Sequence, residues 1–260
     1  MNNEHKPSII ITGANGNIGS AMAACWAEKG YHLILLYHLS TQRIDKIIKQ
    51  HESSVIAVQA DITNLAALES SINKAVKDFP ILPKALIHTA SMRSIDSAPL
   101  VETTPQLWQK IIETNILGTY NILKATIPFL IRKESSSKID NWSRIVLFGS
   151  DVSRIGLPKG SAYAASKAAV ANLTRSLAYE LAEHNILINT LSPGPVDIDD
   201  TQFSPDYQSF RSRYYEKMLE RTPLRRLAQA SDLISICHFL ISPENRYITG
   251  EEFFITGGKL

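Results

Sequence analysis

The sequence predicts a doubly wound α/β fold: a seven-stranded parallel sheet with helices on both faces, in a single domain over residues 1–260. Three observations carry that expectation. Short β-branched apolar runs alternate with segments of helical periodicity, a glycine-rich turn joins the first strand to the first helix, and no linker or internal repeat divides the chain. Its 260 residues suit one large α/β domain.

The elements follow in order. Ser8 to Thr12 (SIIIT) reads as a strand and passes through glycines into a helix from Ile18 to Lys29. The alternation continues with His32 to Tyr37 as strand, Gln42 to Gln50 as helix, Val55 to Gln59 as strand, Leu65 to Phe79 as helix and Lys84 to His88 as strand. A long helix is expected from Pro105 to about Arg132, with Pro105 in its first turn and Pro128 bending its far end. The polar run Glu134 to Ser143 reads as a loop. Arg144 to Phe148, Ile186 to Leu191 and Glu252 to Ile255 complete the strands, and Ser161 to Glu183 and Ser231 to Leu240 complete the helices.

The least regular stretch, Ser192 to Pro223, is weakly helical around Tyr207 to Leu219. It follows the carboxyl end of a strand, where α/β sheets bind ligands, so residues from about 195 to 223 read either as a substrate lid or as a plain surface excursion.

Composition narrows the function classes. Hydrophobic residues make up 44% and charged residues 20%, the balance of a globule with a large core. The net charge of +2, from 27 basic and 25 acidic residues, comes without a block of like charge. Nothing electrostatic asks for nucleic acid or a membrane, and the expected partner is a small molecule. Cys25 and Cys237 lie far apart without CxxC or metal-ligand spacing, so buried thiols in a reducing compartment are expected and no metal. The N-terminus lacks the pattern of a signal peptide, and no apolar run approaches the roughly 18 residues of a membrane span, which points to the cytoplasm.

The turn Thr12-Gly13-Ala14-Asn15-Gly16-Asn17-Ile18-Gly19 has the chemistry of a phosphate cradle. Glycines let the backbone bend tightly and approach a pyrophosphate, whose charge the free N–H groups of the helix N-terminus stabilise. About 20 residues further on, a carboxylate ordinarily reads the ribose hydroxyl. Here Tyr37 and His38 occupy that strand end. A missing carboxylate removes the repulsion of a 2′-phosphate, and His38, Ser40, Thr41 and Arg43 are placed to approach one. The expectation is NADP(H) over NAD(H).

Tyr163 and Lys167 stand four apart at the start of an Ala-rich helix (SAYAASKAAVANL) and so share a face. An ammonium beside a phenol favours the phenolate and makes it usable as an acid or base near neutral pH. Ser150 follows the strand Arg144 to Phe148, thirteen positions before Tyr163, where a substrate carbonyl reaches both hydroxyls. Asn115 is a polar residue within an apolar helix, where burial requires a hydrogen-bonding reason.

Along nearly its whole length, from about Ser8 to Gly258, the chain resembles the short-chain dehydrogenase/reductase family. The resemblance is carried by TGANGNIG at 12–19, Asp61 in ADIT, HTAS at 88–91, Asn115 in TNILGTY, Ser150 in IVLFGS, YAASK at 163–167, Pro193-Gly194 in LSPGPV and the ending YITGEEFFITGG. It implies a single-domain Rossmann fold that binds NAD or NADP and interconverts a carbonyl and an alcohol by hydride transfer. Tyr163 is then the general acid or base and Ser150 polarises the carbonyl. Lys167 holds the nicotinamide ribose and lowers the tyrosine pKa, and Asn115 holds a water of the proton relay.

The cofactor site so implied comprises Gly13, Asn15, Gly16, Asn17, Ile18 and Gly19 of the turn, with Tyr37, His38, Asp61 and Ile62 on the adenosine side. Thr89, Ala90 and Ser91 follow the fourth strand, and Pro193, Gly194 and Val196 border the nicotinamide, beside Tyr163 and Lys167. Several positions depart from the family pattern: Asn17 fills a glycine position, His88-Thr89-Ala90-Ser91 replaces Asn-Asn-Ala-Gly, and Ile198 stands where a threonine is usual.

Within that resemblance the leading expectation is a carbonyl reductase or alcohol dehydrogenase, including 3-oxoacyl-carrier-protein reductase-like members. A pteridine reductase-like enzyme is an alternative, suggested by LLYHLS and Ala90-Ser91 and opposed by Ser150 and Leu39. A cofactor-sensing regulator without turnover has little use for four catalytic side chains, and a sugar-nucleotide epimerase would carry a further C-terminal domain. The long helices carry apolar residues on more than one face, which suggests a homo-oligomer, a tetramer by resemblance or a dimer.

Overall fold

A computed structural model describes residues 7–79, 81–93, 98–131, 142–199, 201 and 204–259. Seven parallel strands form one sheet in the order β3-β2-β1-β4-β5-β6-β7: β1 Ser8–Thr12, β2 His32–Tyr37, β3 Val55–Gln59, β4 Pro83–His88, β5 Ser143–Phe148, β6 Ile186–Pro193 and β7 Glu252–Ile255. The chain winds outward from β1 to β3, then returns to the other side of β1. That reversal leaves a crevice between the carboxyl ends of β1 and β4, where Thr12 pairs with both Leu36 and His88.

The period of two along the strands divides the core into two layers. Ile9, Ile11, Leu33, Leu35, Ile87 and Val146 point to one face and pack with Trp26, Leu233, Cys237 and Leu240. These partners belong to α1 (Asn17–Glu28) and the helix Ala230–Ile241. Ile10, Ile34, Leu36, Leu86, Ile145 and Leu147 point to the other face and meet Leu68, Ile72, Ile122 and Val170 from helices on that side. Strands buried on both faces explain their near-continuous apolar runs.

The remaining helices are α2 Asp45–Gln50, α3 Leu65–Asp78, α4 Pro105–Ile112, α5 Gly118–Leu130, α6 Val152–Ile155, α7 Ser161–Ala182, α8 Pro205–Glu220 and α9 Ala230–Ile241. Side chains set several of their starts. Asn64 accepts from the Ala67 amide at the head of α3, and Thr104 accepts from Leu107 ahead of Pro105 in α4.

Four expectations change. The helix expected from Gln42 begins only at Asp45, because residues 42–44 form a tighter turn in which the Ile44 amide donates to the Thr41 carbonyl three residues back. The single long helix from Pro105 is divided by a π-helical turn over Glu113–Leu117. The weakly helical part of the excursion is a full helix, α8, and a short helix, α6, follows β5. Most of the stretch Glu134 to Ser143 lies outside the described residues, and Ser143 itself opens β5.

Candidate active site

The glycine turn lies against the residues that follow β4. Gly13 has φ +64°, and a Cβ there would come within 2.7 Å of the Ala90 amide nitrogen. A Cβ on Gly19 would lie 2.3 Å from the Gly13 carbonyl oxygen, so the first turn of α1 closes only around glycine. Thr89 Oγ1 donates to the Thr12 carbonyl at 2.7 Å and props the turn from below. No side chain caps α1 at Gly16, and its first turn carries no acidic residue. The dipole and free amides there suit a pyrophosphate, so the residues present fit a dinucleotide.

Asn17 shows why its position tolerates a side chain: Nδ2 donates to the Asp199 carbonyl at 3.3 Å, and Arg43 pairs with the Asp199 carboxylate at 2.7 Å. Two contacts thus tie the base of the excursion to the turn. On the adenosine side, Asp61 accepts from the Thr63 amide and hydroxyl, which holds its carboxyl below the usual range, and its other oxygen lies 3.8 Å from His38. Tyr37 is half-buried at the end of β2.

Three residues of the expected cofactor set turn their side chains inward, which leaves only their backbone to face a dinucleotide. Ile18 rests on the layer beneath α1, Ile62 lies against Gly118 of α5, and Val196 is buried and bridges to Ala228. Pro193 ends β6, and the Gly194 amide donates to Ile255.

The catalytic candidates converge at the carboxyl edge of β5. Tyr163 and Lys167 leave the first turns of α7, both buried, with Lys167 Nζ 5.7 Å from the centre of the tyrosine ring. Lys167 donates to the Phe148 carbonyl at 2.7 Å. Ser150, buried after β5, donates to Asp151 Oδ1 at 3.3 Å and lies near enough to the Tyr163 hydroxyl to favour its ionised form. Asp151 is itself held by a buried ion pair to Lys259 at 2.8 Å.

Asn115 stands in the π turn, 1% exposed. Its Oδ1 accepts from the Met92 amide at 2.7 Å, and its Nδ2 donates to the Met92 carbonyl and to Ser166 Oγ, each at 2.9 Å. The side chain therefore clamps the segment after β4, next to Ser91, whose hydroxyl also acts on the acidity of Tyr163. π turns concentrate at functional sites because the wider ring re-aims a side chain.

Electrostatics sharpen the roles. Burial raises the Tyr163 phenol, an effect opposed by the Arg93 guanidinium 5.8 Å from the ring centre and by the Ser150 and Ser91 hydroxyls. The expected lowering by Lys167 does not lead; desolvation wins, and Arg93 supplies the opposing charge. Lys167 is itself pulled down to about 7, by burial and then by Arg93, so near neutral pH it carries only part of a charge. On α8, burial raises Tyr214, the Asp151 charge adds to the effect and Arg93 opposes it, which sets the excursion helix beside the site.

Sequence reasoning missed Arg93, the Asp151–Lys259 pair, and Ser91 as a neighbour of the tyrosine hydroxyl. None sits in a spacing that announces chemistry; only the reversal of the sheet brings them together.

A Rossmann crevice fitted for a dinucleotide, with Tyr163, Lys167 and Ser150 at its edge, defines the class as a nicotinamide-dependent oxidoreductase. The family model described as enoyl-(acyl carrier protein) reductase matches residues 13–259. The chain belongs to the short-chain dehydrogenase/reductase family and is an NAD(P)-dependent oxidoreductase similar to 3-oxoacyl-(acyl-carrier-protein) reductases.

It is 29% identical over 254 residues to 3-oxoacyl-(acyl-carrier-protein) reductase FabG of Staphylococcus aureus (strain Mu50), covering 96% of this chain and 97% of the relative. Glucose 1-dehydrogenase 2 of Bacillus subtilis (strain 168) is 24% identical over 252 residues, with coverage of 96% and 93%. Among solved structures, a short-chain dehydrogenase/reductase described as a glucose/ribitol dehydrogenase from Brucella melitensis superposes with a TM-score of 0.84 at 26% identity, covering 100% and 99% of the two chains. ElxO with NADP bound gives 0.83 at 27%, covering 98% of each.

One buried titratable group makes acid stability testable. Burial, then the Lys167 charge, pulls His88 down to about 3 from an ordinary 6.5. Between those values the unfolded chain binds the extra proton, so stability is lost as pH falls from about 6.5 towards 3. At pH 4 the loss from this group is roughly 3 kcal/mol relative to pH 7. Denaturant unfolding at both pH values should show a smaller acid loss in His88→Asn than in the parent, and equal losses would contradict the assignment.

Proposed function

We propose that this chain is a single-domain reductase, active on a carbonyl substrate under a lid at about residues 195–223, with Tyr163 as the proton donor. The observation that carries the reading is the buried pair of hydroxyls, Tyr163 and Ser150, at the carboxyl edge of β5 beside the nicotinamide corner of the crevice. A bound nicotinamide supplies the hydride. Tyr163 Oη, kept protonated by burial, gives its proton to the carbonyl oxygen as negative charge develops there. Ser150 donates to the same oxygen after giving up its long contact with Asp151.

Lys167 orients the ribose and, in its charged form, stabilises the phenolate until a proton is returned to it, and the reverse reaction uses the same groups as base. Asn115 holds the segment bearing Ser91 and borders the relay that resupplies the proton. The names of the relatives favour a 3-oxoacyl thioester as the first substrate to try, with an aldose second. The pteridine alternative rests on LLYHLS and Ala90-Ser91 and is opposed by Ser150 and Leu39.

Tyr163→Phe removes the proton donor and almost no volume, so it should lower kcat about 10²- to 10⁴-fold while the cofactor Kd changes little. The assay follows nicotinamide absorbance over a panel of 3-oxoacyl and 2-enoyl thioesters, aldoses and dihydropterins. Near-parental turnover by the variant would sink the mechanism.

The cofactor preference proposed is NADP(H), because β2 ends in Tyr37 and not in a carboxylate, and Arg43, whose backbone amide is held by the Asn15 side chain of the glycine turn, brings a positive charge to that region. Its pairing with Asp199 weakens the hold on a 2′-phosphate, so discrimination should stay below about tenfold, or about 1.4 kcal/mol. Fluorescence titration of both reduced cofactors at fixed ionic strength checks this. Tighter binding of NADH would refute it.

No helix among the described residues is long and apolar enough to cross a membrane, and a cytoplasmic location is proposed from the cysteine usage. A homo-oligomer, tetramer or dimer, is proposed from exposed apolar side chains on the long helices: Tyr120 on α5 and Tyr179 on α7, the latter 88% exposed. Light scattering at micromolar concentration should return a multiple of 28.9 kDa; the monomer mass would overturn it.

A further inference from the structure

Strand β4 ends in a histidine with both ring nitrogens engaged inside the protein. His88 is 3% exposed, with Nδ1 2.7 Å from Thr12 Oγ1 and Nε2 3.0 Å from Thr119 Oγ1. The hydroxyls decide the direction of each bond. Thr119 Oγ1 lies 2.6 Å from the Asn115 carbonyl oxygen, which only accepts. The Thr119 hydroxyl proton is committed there, so Thr119 offers His88 a lone pair and Nε2 carries the ring proton.

Burial keeps the ring neutral, which makes Nδ1 an acceptor for the Thr12 hydroxyl. Thr12 Oγ1 in turn accepts from the Ala90 amide at 3.3 Å. One directed chain results, running from the Ala90 N–H through Thr12, His88 and Thr119 to the Asn115 carbonyl. It closes on itself, because the Asn115 side chain grips both backbone groups of Met92. The tripeptide Ala90-Ser91-Met92 is thus anchored at both ends by the same set of bonds. Its first residue packs against Gly13 of the cofactor turn, and its middle residue lies near enough to Tyr163 to act on the phenol.

We propose that His88, in its Nε2–H tautomer, is a positioning residue that ties the cofactor turn to Asn115 and so fixes the Ala90–Met92 segment between the dinucleotide and Tyr163. An asparagine, the family's usual residue here, has a shorter reach than the imidazole that spans Thr12 and Thr119. Two threonine hydroxyls complete the arrangement in this chain. The inference rests on the reading of Tyr163 and Asn115 as catalytic machinery, and misalignment of reacting groups by about an ångström costs on the order of a hundredfold in rate.

Nitrogen-15 NMR of the histidine-labelled full chain at neutral pH, with the His88 signals assigned through His88→Asn, reads the chain of bonds directly. The Nε2–H tautomer is expected, and an Nδ1–H tautomer or an imidazolium overturns the proposal. Thr119→Val removes the hydroxyl at nearly constant shape. It should lower kcat about ten- to a hundredfold with the cofactor Kd within threefold, and Thr119→Ser should restore kcat to within threefold of the parent.

Parental kcat in Thr119→Val overturns the positioning role. So does a variant that loses cofactor binding and thermal stability together, since that marks a purely structural part. The tautomer measurement stands even if the valine variant does not fold. Full activity in Tyr163→Phe would instead remove the catalytic reading and leave the tautomer result untouched.

Discussion

The close approach of the β1–α1 turn to the end of β4 is the constraint on which the rest of the site depends. Gly13 has no room for a side chain against Ala90, and Gly19 none against Gly13. Because the backbones meet there, the open N-terminus of α1 sits over the reversal point of the sheet, where a pyrophosphate can be held by amides and dipole. The same approach brings Thr12 under the Ala90 amide and onto His88. Cofactor cleft and catalytic edge therefore share one wall.

Burial then sets the chemistry. For Tyr163, desolvation outweighs the positive charge of Arg93, so the phenol stays protonated and is suited to give a proton. For Lys167 the same burial favours the neutral amine and brings its pKa to about 7, where it can change charge near the working pH. The Asp151–Lys259 pair is almost fully removed from water, an arrangement that contributes little net stability but fixes geometry when hydrogen bonds complete it. It holds Lys259 against Asp151, the neighbour of Ser150.

Much of this was legible in the sequence. The inner strand runs were visible because those strands are buried on both faces, and the helices because their apolar stripes repeat. The spacing of Tyr163 and Lys167 required a shared helical face, and Ser150 had to fall at a strand end. The division of the long helix was not legible: a π turn at Glu113–Leu117 leaves the apolar pattern intact and is selected by the bonds of Asn115 to Met92 and Ser166. The late start of α2 was hidden for a similar reason, since the turn that the Ile44 amide closes on the Thr41 carbonyl leaves the apolar pattern unchanged.

The sequence by itself determined the fold class and singled out the glycine turn and the proposed proton-handling residues, because these follow from local periodicity and from side chains near one another in the chain. The tertiary structure alone decided which charge acts on the tyrosine, which serine joins Ser150 at its hydroxyl, and how His88 is protonated. Each of these depends on groups brought together from separate strands and helices, and on burial, which no local pattern encodes. A hydrogen bond between Thr12 and a ring 76 residues away exists only once β1 and β4 lie side by side.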